Sequence, residues 1–343
     1  MPISLDIGTK QAKVVQGIPK KDSVTVTQAF AVKIPNELSI GSPATQVTGM
    51  ITILNPAVKN NNVPLAQECS ITVSDDKFLI RDVVTPKGNY DEIKGMATQE
   101  LIATYNINPG NVTEIKILGD AEEDKVNVRA ASLDRAVVDA YLDMTRNIKM
   151  VPKSLNYHSN SIIKLLAKWP QINGISLTNK GFMLIDCGMF SCIPHIFGDN
   201  AHRVSRYLPV GFTDLYYHMQ KRSAMSDFTD AVAKTYEPVF DQSSEEYQAM
   251  PKNIVDQIES FLRRFTDELT KLIRTIPPTA SGERVDNIFL YGGNSKIQGL
   301  DQRLTEILGV QTSVITSVSN IEMKQNSDEL VYFLNAIAAL LNQ

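Results

Sequence analysis

Basic clusters, cysteine motifs and long apolar runs are all scarce in this chain, and each scarcity removes a class of function. The 34 lysines and arginines are outnumbered by 38 acidic residues and form no block, which leaves no electrostatic footprint for nucleic acid or for an anionic lipid surface. The three cysteines, Cys69, Cys187 and Cys192, match no CxxC or Cys/His zinc spacing and read as free thiols of a reducing cytosol. No segment approaches the roughly twenty apolar residues of a membrane span. The first apolar run, Ile3 to Ile7, has no basic start and does not read as a secretion signal. Any tie to a membrane is therefore expected to come through a partner or a peripheral contact. A Gly/Ser or Pro-rich linker is also absent, so one compact molecule with a cleft is expected. With 343 residues, 43% of them apolar, the chain can bury a substantial core and has room for two or more domains.

The chain opens with β-structure: SLDIG, a turn at Thr9 to Gln11, AKVVQG, then the alternating run SVTVTQAFAVKI. The pattern returns from Gly181, where GFMLIDCG, a turn, CIPHIFGD and HRVSRYLPV precede a predicted helix over 212–221. The two hairpins look like copies. Between them the order is helix, strand, strand, helix, in YDEIKGMATQELIATY, VTEIKIL, KVNVRAASL and DRAVVDAYLDMTRNI, which reads as a small inserted α/β domain. Helical stretches follow around 227–237 and 251–276, the second ending at Pro277 and Pro278, which cannot continue it. The tail alternates strand, helix, strand, helix from VDNIFLYGG to DELVYFLNAIAALL. Expected boundaries are 1–81 for the first lobe, 82–150 for the insertion, 151–180 for a connecting return, and 181–343 for the second lobe, with a helical part over about 212–280.

Asp6-Ile7-Gly8-Thr9 stands where an apolar strand meets a tight turn, so a carboxylate and two backbone N–H groups can converge on one point. That suits a phosphate with a magnesium ion. Gly8 is able to take positive φ and lets backbone approach an anion, Asp6 can hold water on a hard cation, and Lys13 can add positive charge from the next strand. A plain hairpin turn uses the same residue types. Asp186-Cys187-Gly188 repeats both the chemistry and the order of elements, and the repetition is more telling than either tripeptide. Tyr291-Gly292-Gly293-Asn294 follows a strand and precedes a helix, where paired glycines let backbone lie against a base or ribose, or simply serve the connection.

SLDIGTKQAKVV, LIDCGMFS and IFLYGGNSKIQGL, in this order, resemble the two phosphate motifs and the adenosine motif of the actin, sugar kinase and Hsp70 superfamily. Within it they resemble the PilM/FtsA branch, in particular the type IV pilus assembly PilM family. IRDVVTP, YDEIKGMATQEL and VNVRAASLDRAVVDAYLDM follow the order of that family's inserted domain, so the resemblance covers nearly the whole chain. It implies an actin-like (ribonuclease H-like) two-lobed ATPase fold with a duplicated core, and ATP with Mg2+ as ligands. Asp6, Gly8, Thr9 and Lys13 would attend phosphates and metal, Asp186 and Gly188 would do so from the opposite lobe, and Asp6 and Asp186 would serve the metal. Gly292, Gly293 and Asn294 would contact the nucleoside, with Lys234 of FTDAVAKTY near base or ribose. After Gly188 the family's small residues and threonine give way to Met189, Phe190, Ser191 and Cys192, and Phe212 replaces a usual glycine. Ser191 keeps a hydrogen-bond donor, while the bulky side chains would narrow the phosphate pocket. Binding without efficient hydrolysis is the expectation. No water-positioning residue is assigned, and His158 reads as a packing or surface residue.

The function implied is a cytoplasmic, nucleotide-responsive adaptor, peripheral at the inner membrane, that binds the cytoplasmic N-terminal segment of a PilN-like membrane protein. Contacts with pilus motor ATPases or other assembly components are also implied, and self-association stays open. An FtsA-like filament or division protein is the alternative, although the final apolar helix lacks the basic face of a membrane anchor and reads as buried. A small-molecule kinase, the less favoured reading, would need an additional carboxylate base beside an acceptor hydroxyl, and the sequence carries no dedicated sugar-binding motif or zinc cluster.

Overall fold

The computed structural model describes residues 1–35, 38, 43–213, 215–216, 240–279, 282, 284–325 and 327–341. The predicted helix over 227–237, Lys234 with it, and most of the one over 212–221 lie outside them. The chain divides into two compact units, residues 1–12 with 31–158, and residues 13–30 with 159–343.

In the first unit, strands β1 (Ile3–Ile7), β4 (Glu68–Val73) and β8 (Val151–Tyr157) pair in parallel, β4 between the other two. Parallel strands covered on both faces have no need of strict polar alternation, and Ile3, Ser4, Leu5 and Asp6 are accordingly all buried. Helices α1 (Pro43–Asn60) and α3 (Arg135–Asn147) pack on one another, and α3 also packs on β8. From β4 the chain leaves for an antiparallel sheet of strands β5 (Leu79–Pro86), β6 (Val112–Asp120) and β7 (Lys125–Leu133), in the order β5-β7-β6. Helix α2 (Tyr90–Tyr105) covers it, with Ile93, Ala97 and Leu101 at four-residue spacing against Val126, Val128 and Ala130. Asn89 and Glu92 close a reciprocal capping box at its start, and Asn106 ends it in the left-handed region at φ 52°. The helix, strand, strand, helix order read from the sequence is therefore present. Two things differ. Strand β5, largely exposed on both faces and so lacking an alternating pattern, adds a third strand, and α3 returns to α1 and β8 instead of the small sheet.

In the second unit, β2 (Gln11–Pro19) and β3 (Val24–Lys33) bring the chain across and back, and β3 pairs in parallel with a short β14 (Ile321–Met323) that the sequence pattern does not betray. The main sheet has the order β11-β10-β9-β12-β13, built from β9 (Phe182–Cys187), β10 (Cys192–Gly198), β11 (Ala201–Ser205), β12 (Asn287–Tyr291) and β13 (Gln311–Val314). Its two faces are sorted by the two-residue period of a strand. Met183, Ile185, Ile288 and Leu290 share one core cluster with Ile258, Phe261, Phe265 and Leu269 of α6 (Lys252–Thr275). Phe182, Leu184, Phe289 and Tyr291 share the other with α8 (Leu330–Ala339). Each such buried apolar side chain contributes about 1.5–3 kcal/mol. The short α5 (Glu245–Gln248) precedes α6, which stops before Pro277 as its sequence dictates, and α7 (Leu300–Leu308) joins β12 to β13. Helix α4 (His158–Leu165) follows β8 directly. Helix α8 is apolar around its circumference and buried throughout, apart from the half-buried Tyr332, as a core helix must be.

All three cysteines are free and buried. Burial pushes the Cys69 thiol up to about 12, and a hydrogen bond with Cys192, together with burial, holds Cys187 protonated well above the usual thiol range. An aromatic disulfide reagent at pH 8 is expected to find no fast-reacting thiol until denaturant is added, and then three; a thiol reacting at once in the native protein would contradict this packing. Because the folded chain holds the Cys69 proton more tightly than the unfolded one, the associated stability is complete below about pH 9 and is lost as the pH rises toward 12.

Candidate functional site: two aspartate turns and a diglycine turn

The register of the first unit's parallel strands sets Asp6 beside Thr72, and Thr72 beside Asn156. His158 therefore lies two residues beyond Asp6's level, at the first position of α4. Its Nε2 is 2.9 Å from Asp6 Oδ1, with side-chain exposures of 8% and 1%. An ionised carboxylate only accepts, so with Asp6 charged the imidazole donates from Nε2. His158 is thus neither a surface residue nor mere packing: it is the partner of the first aspartate. The turn after β1 is closed by Gly8 N–H donating to Gln11 O at 3.1 Å. Gly8 does not use the positive φ open to it, and a Cβ there would make a tight contact, 3.0 Å from Gln11 O. Thr9 is half-buried beside it. Burial, and then the neighbouring charge of Lys33, lower the Lys10 amine below its usual value.

The second turn shares the first one's close glycine-to-carbonyl approach but not its hydrogen bond, since Gly188 N–H donates to Asp186 O at 3.2 Å. Gly188 stands two residues after Asp186, and a Cβ on it would lie 2.5 Å from the carbonyl oxygen three residues on, that of Ser191. The bulk anticipated to crowd this turn is largely elsewhere. Met189 packs against the core while its carbonyl accepts from Thr213 N–H (2.9 Å) and Oγ1 (2.8 Å). Phe212 is fully buried, its ring 4.9 Å from that of Phe261. The residue that does approach the turn is Gly211, where a Cβ would fall 2.3–2.5 Å from backbone atoms of Met189, Phe190 and Ser191. Phe190 is exposed and Ser191 half-buried. Lys13 is the first residue of the second unit, half-buried on β2.

Strand β12 delivers the diglycine to the same place, since Tyr291 is in register with Asp186. Gly292 has φ +93°, and a Cβ there would sit 2.3 Å from Asp186 Oδ1 and 3.0 Å from Cys187 N. Gly293 is exposed, with nothing within 4 Å of its Cβ position. Asn294 is buried, and both ends of its amide serve the protein: Nδ2 donates to Cys187 O at 3.0 Å and Oδ1 accepts from Tyr216 OH. Its side chain ties the diglycine turn to the aspartate turn. Asp186 also accepts from Asn335 Nδ2 of α8, Oδ2 to Nδ2 at 2.6 Å. The sequence reading missed Asn335 and the role of His158. A lone amide inside LVYFLNAIAA was the available signal for the first; the second depended on a parallel register that no local pattern records.

Among the described residues no cluster of three or more His, Cys, Asp or Glu could hold a metal by itself, and no helix is long and apolar enough to cross a membrane. Single buried carboxylates beside tight glycine turns suit a hard cation that keeps its waters and borrows phosphate oxygens.

A mixed α/β chain of several sheets with repeated aspartate turns and a diglycine turn belongs to the class with the actin-like ATPase fold. The family model described as Type IV pilus assembly protein PilM matches residues 4–341, and the chain belongs to that family. A solved PilM-PilN type IV pilus biogenesis complex is similar at TM-score 0.75 and 18% identity, covering 100% of this chain and 99% of that one. EutJ, the ethanolamine utilization protein from Carboxydothermus hydrogenoformans, is similar at TM-score 0.54 and 12% identity, with 99% and 88% covered. MreB5 of Spiroplasma citri, solved bound to ADP, is similar at TM-score 0.52 and 11% identity, with 99% and 94% covered. None of the curated proteins matches the sequence.

Proposed function

We propose that this protein is an ATP-binding adaptor of type IV pilus assembly that takes up the cytoplasmic N-terminal segment of a PilN-like inner-membrane protein, with an affinity set by the bound nucleotide. The observation that carries the proposal is the repeated turn: buried Asp6 and Asp186, each followed by a glycine lying against the carbonyl three residues further on. Membership of the PilM family supports the pilus role, the similar PilM-PilN complex supports the partner, and the ADP bound to the similar MreB5 supports the nucleotide.

In the first unit Asp6, Gly8 and Thr9 are assigned to phosphates and Mg2+. In the second we assign Lys13, Asp186, Gly188 and Ser191 to the same task, and Gly292, Gly293, Asn294 and Lys234 to the nucleoside side, Asn294 by holding the turn. A magnesium ion would neutralise phosphate charge, with a buried carboxylate orienting its waters, the role assigned to Asp6 in the first unit and to Asp186 in the second. Hydrolysis is slow or absent in this reading: no residue is assigned to position the attacking water, and His158, the imidazole at the first aspartate turn, is engaged with Asp6. A nucleotide shifts the adaptor only by its differential affinity for two conformations. The protein sits at the cytoplasmic face of the inner membrane through its partner, and motor ATPases or other assembly components are further partners in this scheme.

The test is the affinity of a PilN-like N-terminal peptide for the full chain without nucleotide, with ADP and with ATP, for wild type and Asp6→Ala. Coupling of about 5-fold to 150-fold between nucleotide states is expected in the wild type, and equal binding in all states for Asp6→Ala. No peptide binding in any state overturns the adaptor; equal wild-type binding in every state overturns the switch.

A further inference from the structure

Asn335 is the one polar residue in the buried run of α8, and nothing in the packing of that helix calls for an amide. A leucine has the same shape, and exchanging buried polar partners for apolar ones of like shape is often neutral or stabilising. What the amide touches gives its purpose. Nδ2 donates to Asp186 Oδ2 at 2.6 Å, and Oδ1 accepts from Tyr291 OH at 3.3 Å. Beyond Tyr291 the contacts continue along one face of the sheet: Tyr291 OH to His195 Nε2 at 3.0 Å, His195 Nδ1 to Ser205 Oγ at 2.9 Å, and Ser205 Oγ to His202 Nε2 at 2.8 Å. Strand geometry places them there, because Tyr291 is in register with Asp186 and His195 with Ser205, so each pair shares a face.

The chain has a direction. Asn335 can give its N–H to the carboxylate and accept only at Oδ1; Tyr291 then donates its single proton to Asn335 and must accept from His195 Nε2–H. In the tautomer with its proton on Nε2, His195 accepts at Nδ1 from the Ser205 hydroxyl, whose oxygen accepts from His202 Nε2–H. Every donor points toward Asp186, so the bonds polarise one another in the sense that favours a carboxylate at its end. An amide does not pass protons along, so the chain orients a group and is no proton wire. Gly292, packed against Oδ1, fixes the carboxylate from its other side.

We propose that Asn335, held by Tyr291, His195, Ser205 and His202, is a positioning residue that fixes the Asp186 carboxylate for the hydrated Mg2+ of a bound nucleotide. This rests on the nucleotide reading above, which the same experiment separates from it. ATP binding is titrated on the full chain with excess Mg2+ and with a chelator, and the Mg2+ midpoint is measured at fixed ATP, for wild type, Asn335→Leu and Tyr291→Phe. Loss of an outer-shell partner costs about 10-fold to 100-fold in metal affinity, and that weakening of the Mg2+ midpoint is expected for Asn335→Leu, with ATP affinity in chelator unchanged. Tyr291→Phe, which removes only a hydroxyl one step back, is expected to weaken the midpoint by about 3-fold to 10-fold. A merely structural amide would weaken both arms alike or neither, and either result overturns the positioning role. If Asn335→Leu does not fold, Tyr291→Phe decides: an unchanged midpoint overturns the proposal. A wild type that binds no ATP in either arm overturns the nucleotide reading and this inference together, whereas Mg2+-dependent wild-type binding that survives both substitutions overturns the inference alone.

Discussion

Gly292→Val is expected to destabilise the fold by about 3 kcal/mol or more and to remove nucleotide binding. Two independent costs meet at this position. A β-branched residue at φ +93° is strained whatever the space around it, and the added Cβ would lie 2.3 Å from Asp186 Oδ1 and 3.0 Å from the Cys187 backbone nitrogen. The second contact is with backbone, and Asp186 is already held by Asn335, so neither neighbour yields cheaply. Gly293→Ala is the control. Nothing lies within 4 Å of its Cβ position, and its cost should stay within about 0.5 kcal/mol. Urea unfolding of the two variants beside wild type checks the contrast. Equal stability of both would mean that the close approach at Gly292 does not exist.

Phe212→Ala is expected to cost about 3–5 kcal/mol, the loss typical of a buried aromatic, while leaving the ATP affinity of the folded fraction unchanged. The ring is fully buried and packs against Phe261 and Phe265 at centroid distances of 4.9 and 6.4 Å. In the family resemblance the same residue stands where a glycine is usual, and it counted against efficient turnover. The structure divides the two jobs: Gly211 approaches the turn and Phe212 fills the core. Thermal unfolding and ATP titration well below the midpoint separate the alternatives. Unchanged stability with tighter ATP binding would return the ring to the site.

The contrast at Gly211 and Phe212 shows what local pattern can and cannot carry. Strand-turn-strand order, the stop at Pro277 and the alternation of β7 are nearest-neighbour properties, and each was legible. Parallel partnership is not local. β1 finds β4 and then β8 across long stretches of chain, so the arrival of His158 at Asp6 could not be anticipated, although both residues were under consideration. Strands β5 and β14 escaped for a different reason: one is exposed on both faces and the other has three residues, so neither shows a period. For Gly8 the sequence offered both positive φ and a missing side chain as reasons for glycine; the first is not used, and only the structure distinguishes them. Asn335 was readable in principle, since an amide in the middle of a wholly apolar helix must find a buried partner.

The central proposal is that this member of the PilM family binds a magnesium nucleotide, with Asp6 and Asp186 each assigned a part in holding it. Equilibrium titration of ATP into the full chain, with and without Mg2+, tests it most directly, repeated for Asp6→Asn and Asp186→Asn with folding checked by circular dichroism. The account predicts saturable one-to-one binding that Mg2+ strengthens, and loss of that strengthening in each variant by about 10-fold or more. Absence of binding by the wild type, or Mg2+-dependent binding undiminished in both folded variants, would contradict it.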